Sequence, residues 1–294
     1  MGSMPDRPRR SALFMPGANA RALERARTLP ADALIFDLED AVAPEAKPEA
    51  RRLAIAAASS GGYAGREVVV RVNALATPWG ADDLAAVASS GADAVLLPKV
   101  ESAADVRRAL DLLAARGAPA RLAVWCMLET PRGILDAAAI AGADARLAAL
   151  VVGTSDLTKE LRARHTPDRA PLLTSLGLCV LAARAHGLAA LDGVHLDLED
   201  DAGFAAACRQ AADLGFDGKT LIHPKQIATA NAAFAPGADD VARARRVIAA
   251  HAEAVAAGKG VAVLDGRLVE NLHVAEAERV LALARALAPA GGAG

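Results

Sequence analysis

Polar side chains close one apolar run after another along this chain of 294 residues, and their types are those of metal and acid–base chemistry. Asp37, Glu39 and Asp40 follow ALIF, Arg71 and Asn73 flank the end of VVV, Lys99 follows AVLLP, Glu129 ends LAVWCML, Asp156 follows LAALVVGTS, and His223 follows KTLI. One charge at such a place is an ordinary loop charge or a rim salt bridge. Five successive runs ending in charge argue instead for convergence on one site. Glu129 and Asp156 stand one strand–helix unit apart, so their carboxylates would face a common point. Two carboxylates at close range need a cation. A hard divalent ion such as Mg2+ takes one or two protein carboxylates and completes its shell with water and substrate. Asp37 and Asp40 are then candidates for holding its waters from outside. The competing reading is a carboxylate pair neutralised by Arg71 or Lys99 with no metal. Arg71 has a role of its own, because a guanidinium can hold a substrate carboxylate or thioester oxygen through two parallel hydrogen bonds.

Other chemistries find less support. The six histidines, His165, His186, His195, His223, His251 and His273, show no HxH or HExxH spacing, which disfavours zinc. Gly218-Lys219-Thr220 is not a phosphate loop, since Asp213 stands where its first glycine is needed. There is no GxGxxG after the first apolar run and no GxSxG elbow. Lys99 as a Schiff-base lysine is an alternative that nothing else in the sequence supports.

The elements that must position these residues are eight apolar runs at 11–17, 33–40, 67–73, 94–100, 122–130, 147–156, 190–198 and 219–227. They lack polar alternation, as strands buried on both faces of a parallel sheet do. Between them lie Ala/Leu/Arg stretches of helical period, two of which, at 102–117 and 202–215, end at glycine. The alternation predicts an α/β fold, a (β/α)8 TIM barrel, with a doubly wound open sheet as the runner-up. In a barrel the strand C-termini build the site, which is where the charges fall. The expected division is a barrel over 1–232 carrying the metal site and a C-terminal extension over 233–294. That extension reads as helix, an Asp-Gly hairpin in VAVLDGRLV, and helix, a flap suited to a barrel mouth, its own or a neighbour's.

Composition bounds the partners. With 53% hydrophobic and 23% charged residues the chain can bury a core, and a net charge of -2 with 3% aromatics argues against nucleic acid. Cys126, Cys179 and Cys208 have no ligand spacing and suggest thiols in a reducing compartment, so a cytoplasmic location is expected. The apolar runs fall short of the roughly 20 residues that cross a bilayer, and MGSMPDRPRR lacks a signal-peptide core. Met1–Ser3 read as a cloning remnant ahead of Met4, and the closing PAGGAG as a frayed end.

Taken together, LFMPGAN (13–19), DALIFDLEDAVAPEAKPEAR (32–51), VVVRVNALATPWGADDL (68–84), LLPKVES (96–102), LETPRGI (128–134), VVGTSDL (151–157) and GKTLIHPKQI (218–227) resemble the citrate lyase β-subunit family. That family lies in the HpcH/HpaI aldolase superfamily, which includes malyl-CoA and citramalyl-CoA lyases. The resemblance implies a Mg2+-dependent (β/α)8 lyase that makes or breaks the carbon–carbon bond between an acyl-CoA enolate and a small 2-oxo acid. It further implies Glu129 and Asp156 as metal ligands, Arg71 and Glu129 as residues facing the substrate, and Asn19 and Arg21 near the CoA moiety. Asp265, in LDGRLVE, corresponds to an acid/base delivered to the barrel mouth of an adjacent subunit, although LVENLHVAEAERV is a loose version of the family segment. A homotrimer or hexamer is implied as well. The alternatives are an HpcH-type aldolase acting on free hydroxy acids, against which LFMPGAN speaks, and a non-catalytic scaffold subunit of a lyase complex.

Overall fold

Each predicted apolar run becomes a strand because both of its faces find apolar cover. In the computed structural model, which describes residues 7–63, 65–258 and 261–288, eight parallel strands close into a barrel in sequence order. They are β1 (Ser11–Pro16), β2 (Ala33–Asp37), β3 (Glu67–Arg71), β4 (Ala94–Leu97), β5 (Ala123–Leu128), β6 (Leu147–Val152), β7 (Ala189–Asp192) and β8 (Gly218–Leu221). Closure is made by β1 against β8, with Ala12 opposite Thr220. The fold is the expected (β/α)8 barrel, not the open sheet.

Strand periodicity of two sorts the residues by face. Ile35, Val69, Leu96, Trp125, Met127, Val151 and Leu191 fill the barrel interior. Their neighbours Leu34, Phe36, Val70, Val95, Val124 and Leu150 join the larger core under the helices. Those helices are α1 (Ala20–Ala26), α2 (Lys47–Ser60), α3 (Gly80–Ala88), α4 (Ala103–Ala115), α5 (Pro131–Leu135), α6 (Ala137–Ala141), α7 (Thr154–Glu160), α8 (Leu173–Ala185), α9 (Asp201–Leu214) and α10 (Ile227–Ala233). Helix α4 ends ahead of Gly117 at φ 70° and α9 at Gly215 at φ 95°, the left-handed stops foreseen from the glycines.

The described residues divide into two compact units, one within Arg9–Phe234 and a second that takes in 7–8, 235–258 and 261–288. The second unit holds α11 (Ala238–Ala256), the hairpin β9 (Ala262–Leu264) and β10 (Arg267–Val269), and α12 (Asn271–Leu287). The hairpin turns on Asp265 and Gly266, at φ 52° and 74°, the paired positive values that a tight two-residue hairpin turn requires. Among the described residues no helix is long and apolar enough to cross a membrane. The expected remnant at Met1–Ser3 and the expected frayed end at 289–294 lie outside the described residues.

Candidate active site

The interior face of each strand, followed one step past the apolar layers, reaches the polar groups. Asp37 continues Ala33 and Ile35, Arg71 continues Val69, and Glu129 continues Trp125 and Met127, so strand parity aims all three into the C-terminal mouth. Pro131 opens α5 with the Thr130 hydroxyl accepting from the Gly133 N–H at 3.1 Å, which fixes the chain directly after Glu129. Asp156 sits in the first turn of α7. Between them Gly153 is indispensable for space: a Cβ there would lie 2.5 Å from both the Glu129 Cβ and its Oε2.

Glu129 and Asp156 do converge. The Lys99 Nζ lies 3.8 Å from Glu129 Oε1 and 3.5 Å from Asp156 Oδ2, so one cationic nitrogen is within reach of both. The same nitrogen is 2.8 Å from Glu39 Oε1. Lys99 is held in the left-handed region at φ 51°, which costs a non-glycine residue about 1–2 kcal/mol. In that conformation its backbone N–H donates to Glu129 Oε1 at 2.8 Å. Burial raises the Glu129 carboxyl to about 7, against the pull of the Lys99 charge and with Glu39 adding to the rise. Glu39 is likewise raised by burial, opposed by Arg71 and Lys99. For Lys99 burial disfavours the charge, but Glu129 and Glu39 outweigh it and hold the ammonium above its ordinary range.

Arg71 is anchored from behind. Its Nε and Nη2 donate to the two Asp37 oxygens at 2.6 and 2.7 Å, and its guanidinium carbon lies 4.6 Å from the centre of the Phe14 ring. Nη1 donates over longer distances, 3.4 Å to Asp40 Oδ2 and 4.0 Å to Met127 Sδ, and the residue lines the cavity. Glu39 Oε2 is 3.0 Å from Nη1 but accepts no hydrogen bond among the described residues. Asp37 also accepts from the backbone N–H groups of Glu39 and Ala41, at 2.9 and 3.1 Å. Its oxygens therefore serve Arg71 and its own loop, where a hold on metal waters had been expected. Lys47 tightens the same loop by donating to the carbonyls of Leu38 and Glu39, at 2.8 and 2.7 Å.

A cavity of about 410 Å³ opens over these groups, with Arg71, Glu129 and Asp156 on one flank and Phe14, Pro16, Val152, Val194, Leu196 and Ile222 among its apolar walls. The remaining predicted residues stand elsewhere. Asn19 caps α1, its Oδ1 accepting from the Ala22 N–H at 3.0 Å, and Arg21 is exposed on that helix. Asp265 lies in the second unit, paired with Arg246. Sequence reasoning gave Glu39 no task; it offered Lys99 as a neutraliser of the Glu129–Asp156 pair, and the structure adds Glu39 as the nearest of its three carboxylates. Among the described residues no group of three or more His, Cys, Asp or Glu has metal-binding spacing. The Glu129–Asp156 pair fits a hard ion that takes two carboxylates and leaves its other positions to water and substrate.

A closed parallel barrel with Arg71, Glu129 and Asp156 lining one C-terminal cavity defines a TIM-barrel protein with charged groups at its mouth. The chain belongs to the HpcH/HpaI aldolase/citrate lyase family, whose pattern matches residues 10–224. It is 50% identical over 284 residues to a (3S)-malyl-CoA thioesterase of Cereibacter sphaeroides, covering 97% of each chain. It is 40% identical to the citrate lyase subunit beta of Escherichia coli, over 95% of this chain and 94% of that one. The structure of CitE from Mycobacterium tuberculosis in complex with magnesium, acetoacetate and coenzyme A superposes with a TM-score of 0.75 at 34% identity, covering 94% of this chain and 97% of that chain.

Proposed function

We propose that this protein is a Mg2+-dependent enzyme that acts on the CoA thioester of a malyl-type hydroxy acid and hydrolyses it to the free acid and CoA. The observation that carries this reading is the convergence of Glu129 and Asp156 on one cationic nitrogen in a cavity that Arg71 also lines. When bound, Mg2+ would supply Lewis-acid polarisation of the substrate. Glu129 and Asp156 would hold the ion, and the Lys99 N–H fixes the orientation of the Glu129 carboxylate. Arg71, braced by Asp37, would exchange the long Nη1 bonds to Asp40 and Met127 for one to the thioester oxygen as that oxygen gains negative charge under attack by water. The apolar walls suit the methylene and sulfur of the thioester arm and keep bulk water from the reacting carbon. Thioesterase relatives at 50% identity over nearly the whole chain support hydrolysis over other fates.

A second reading is favoured by the same Arg71 geometry: cleavage of the carbon–carbon bond to an acyl-CoA and a 2-oxo acid, in which Arg71 stabilises the enolate and Asp265 protonates its carbon. Under either reading the barrel unit carries the metal. The second unit is then a flap that brings Asp265 to a neighbouring subunit in a homotrimer or hexamer. The exposed faces of Val263 and Leu268, opposite each other across the hairpin at 65% and 51% exposure, support such a seat. Asn19 and Arg21 are assigned to the CoA end of the substrate.

The deciding experiment incubates the protein with Mg2+ and malyl-CoA and measures free thiol and free glyoxylate separately. Thiol without glyoxylate is the expected result. Glyoxylate without thiol replaces hydrolysis with carbon–carbon cleavage, and neither product overturns both in favour of a non-catalytic subunit.

A further inference from the structure

We infer that Lys99 is the metal's internal competitor: its ammonium neutralises Glu129 and Asp156 while no divalent cation is bound, and the incoming cation must displace it. The inference rests on the metal reading above and adds to it the residue that sets how tightly the metal is held.

Three independent features of Lys99 carry it. Its Nζ occupies the point where the two acids converge, 3.8 Å from Glu129 and 3.5 Å from Asp156, so ammonium and metal would claim the same oxygens. Its backbone is fixed apart from its side chain: the left-handed φ of 51° and the 2.8 Å N–H bond to Glu129 Oε1 hold the peptide, while the four-carbon stem ends in a head on a side chain 40% exposed. The head can therefore withdraw without loosening Glu129. It also has somewhere to go, because Glu39 Oε1, at 2.8 Å, is its nearest partner and is not one of the oxygens the metal would claim. A lysine needed only as the partner of Glu39 would have no reason to lie within 4 Å of both other acids. A divalent ion and an ammonium sharing one pair of carboxylates repel each other strongly in a half-buried site, so occupancy by one weakens the other.

The test titrates Mn2+, a probe for the Mg2+ site, into metal-free wild type, Lys99→Met and Lys99→Gly by calorimetry, with melting temperatures read without and with saturating Mn2+. Lys99→Gly keeps the N–H to Glu129 and removes the strain of the positive φ, so it folds even if Lys99→Met does not. The expected result is Mn2+ binding about tenfold tighter in both variants, equal to about 1.4 kcal/mol. The rise in melting temperature on saturation is then larger in the variants than in wild type. Equal or weaker binding in the variants, with wild type still binding, overturns the competitor role and makes Lys99 a support for the metal ligands. A wild type that takes up no Mn2+ overturns the metal reading itself, a distinguishable failure.

Discussion

As the proposed metal ligand, Glu129 would meet two demands that pull its proton in opposite directions. Burial raises its carboxyl to about 7, and a metal ligand must be ionised. Above that value the carboxylate is free to bind; below it each ion taken up has to expel a proton, so affinity falls by up to about tenfold per pH unit. Mn2+ titrations should therefore give a Kd more than tenfold weaker at pH 5.5 than at pH 7.5, and a flat profile would remove Glu129 from the metal. Replacing the acid tests the same assignment without pH. Glu129→Gln should keep a cooperative melt and lose thioester turnover at every Mg2+ concentration; near-normal turnover at low Mg2+ is the contrary outcome. The sequence announced this residue through its place at the end of an apolar run. It did not announce the pairing of Asp37 with Arg71, because neighbouring strand ends share a face while the choice of partner depends on side-chain reach. Lys99 was visible as a charge, but its left-handed φ has no sequence signal when the residue is not glycine.

At the scale of the element, strands show what they face more readily than what lies behind them. Eight apolar runs became eight strands, and the inward charges Arg71, Glu129 and Asp156 line one cavity. On the outward side of β7 and β8 a second cluster is hidden. Asp192 accepts from Lys219 Nζ at 2.5 Å and also pairs with Arg169, and Lys219 is only 1% exposed. Nothing in ALD or GKTL marks these charges as buried against helices, since a lysine in a strand is more often at a rim. Burial opposes the Asp192 charge, yet Lys219 and Arg169 outweigh it and keep the carboxyl below its ordinary range. The stability this gives is present above the usual carboxylate pKa and is lost as pH falls through the depressed value. Asp192→Asn leaves Lys219 and Arg169 without their carboxylate and should cost about 3–5 kcal/mol in denaturant unfolding. A loss under about 1 kcal/mol would mean the cluster is not relied upon. Gly153→Ala probes the opposite face. The added methyl must push the Glu129 side chain aside, so Mn2+ affinity should drop about tenfold or more while unfolding shifts by only about 1–3 kcal/mol.

The molecule as a whole keeps two separate cores, and that separation predicts how it comes apart. The barrel's clusters draw on residues from Ala12 to Phe234, whereas the second unit has its own small cluster of Ala244, Val247, Ala254, Ala262, Val269 and Ala277. Both were legible in outline: the barrel from its alternation, the extension as an excess of helix and hairpin beyond the eighth strand. The expectation of a homotrimer or hexamer came from family resemblance alone, because one chain's periodicity says nothing about its neighbours. A chain limited to residues 9–234 retains every strand of the barrel along with Glu129, Asp156, Arg71 and Lys99. It should melt cooperatively and bind Mn2+ as the full chain does, because the proposed metal ligands Glu129 and Asp156 and the groups that orient them all lie within it. Turnover is a different matter. If Asp265 supplies a proton to the reacting carbon or the leaving group, its removal should cost about 10²–10⁴-fold, the usual size of general acid–base assistance. Asp265→Asn in the full chain separates chemistry from shielding. Equal losses in the truncated and substituted proteins assign the effect to the carboxylate, while a loss confined to truncation assigns it to the flap's exclusion of water. Full activity in the truncated chain would remove the second unit from catalysis altogether.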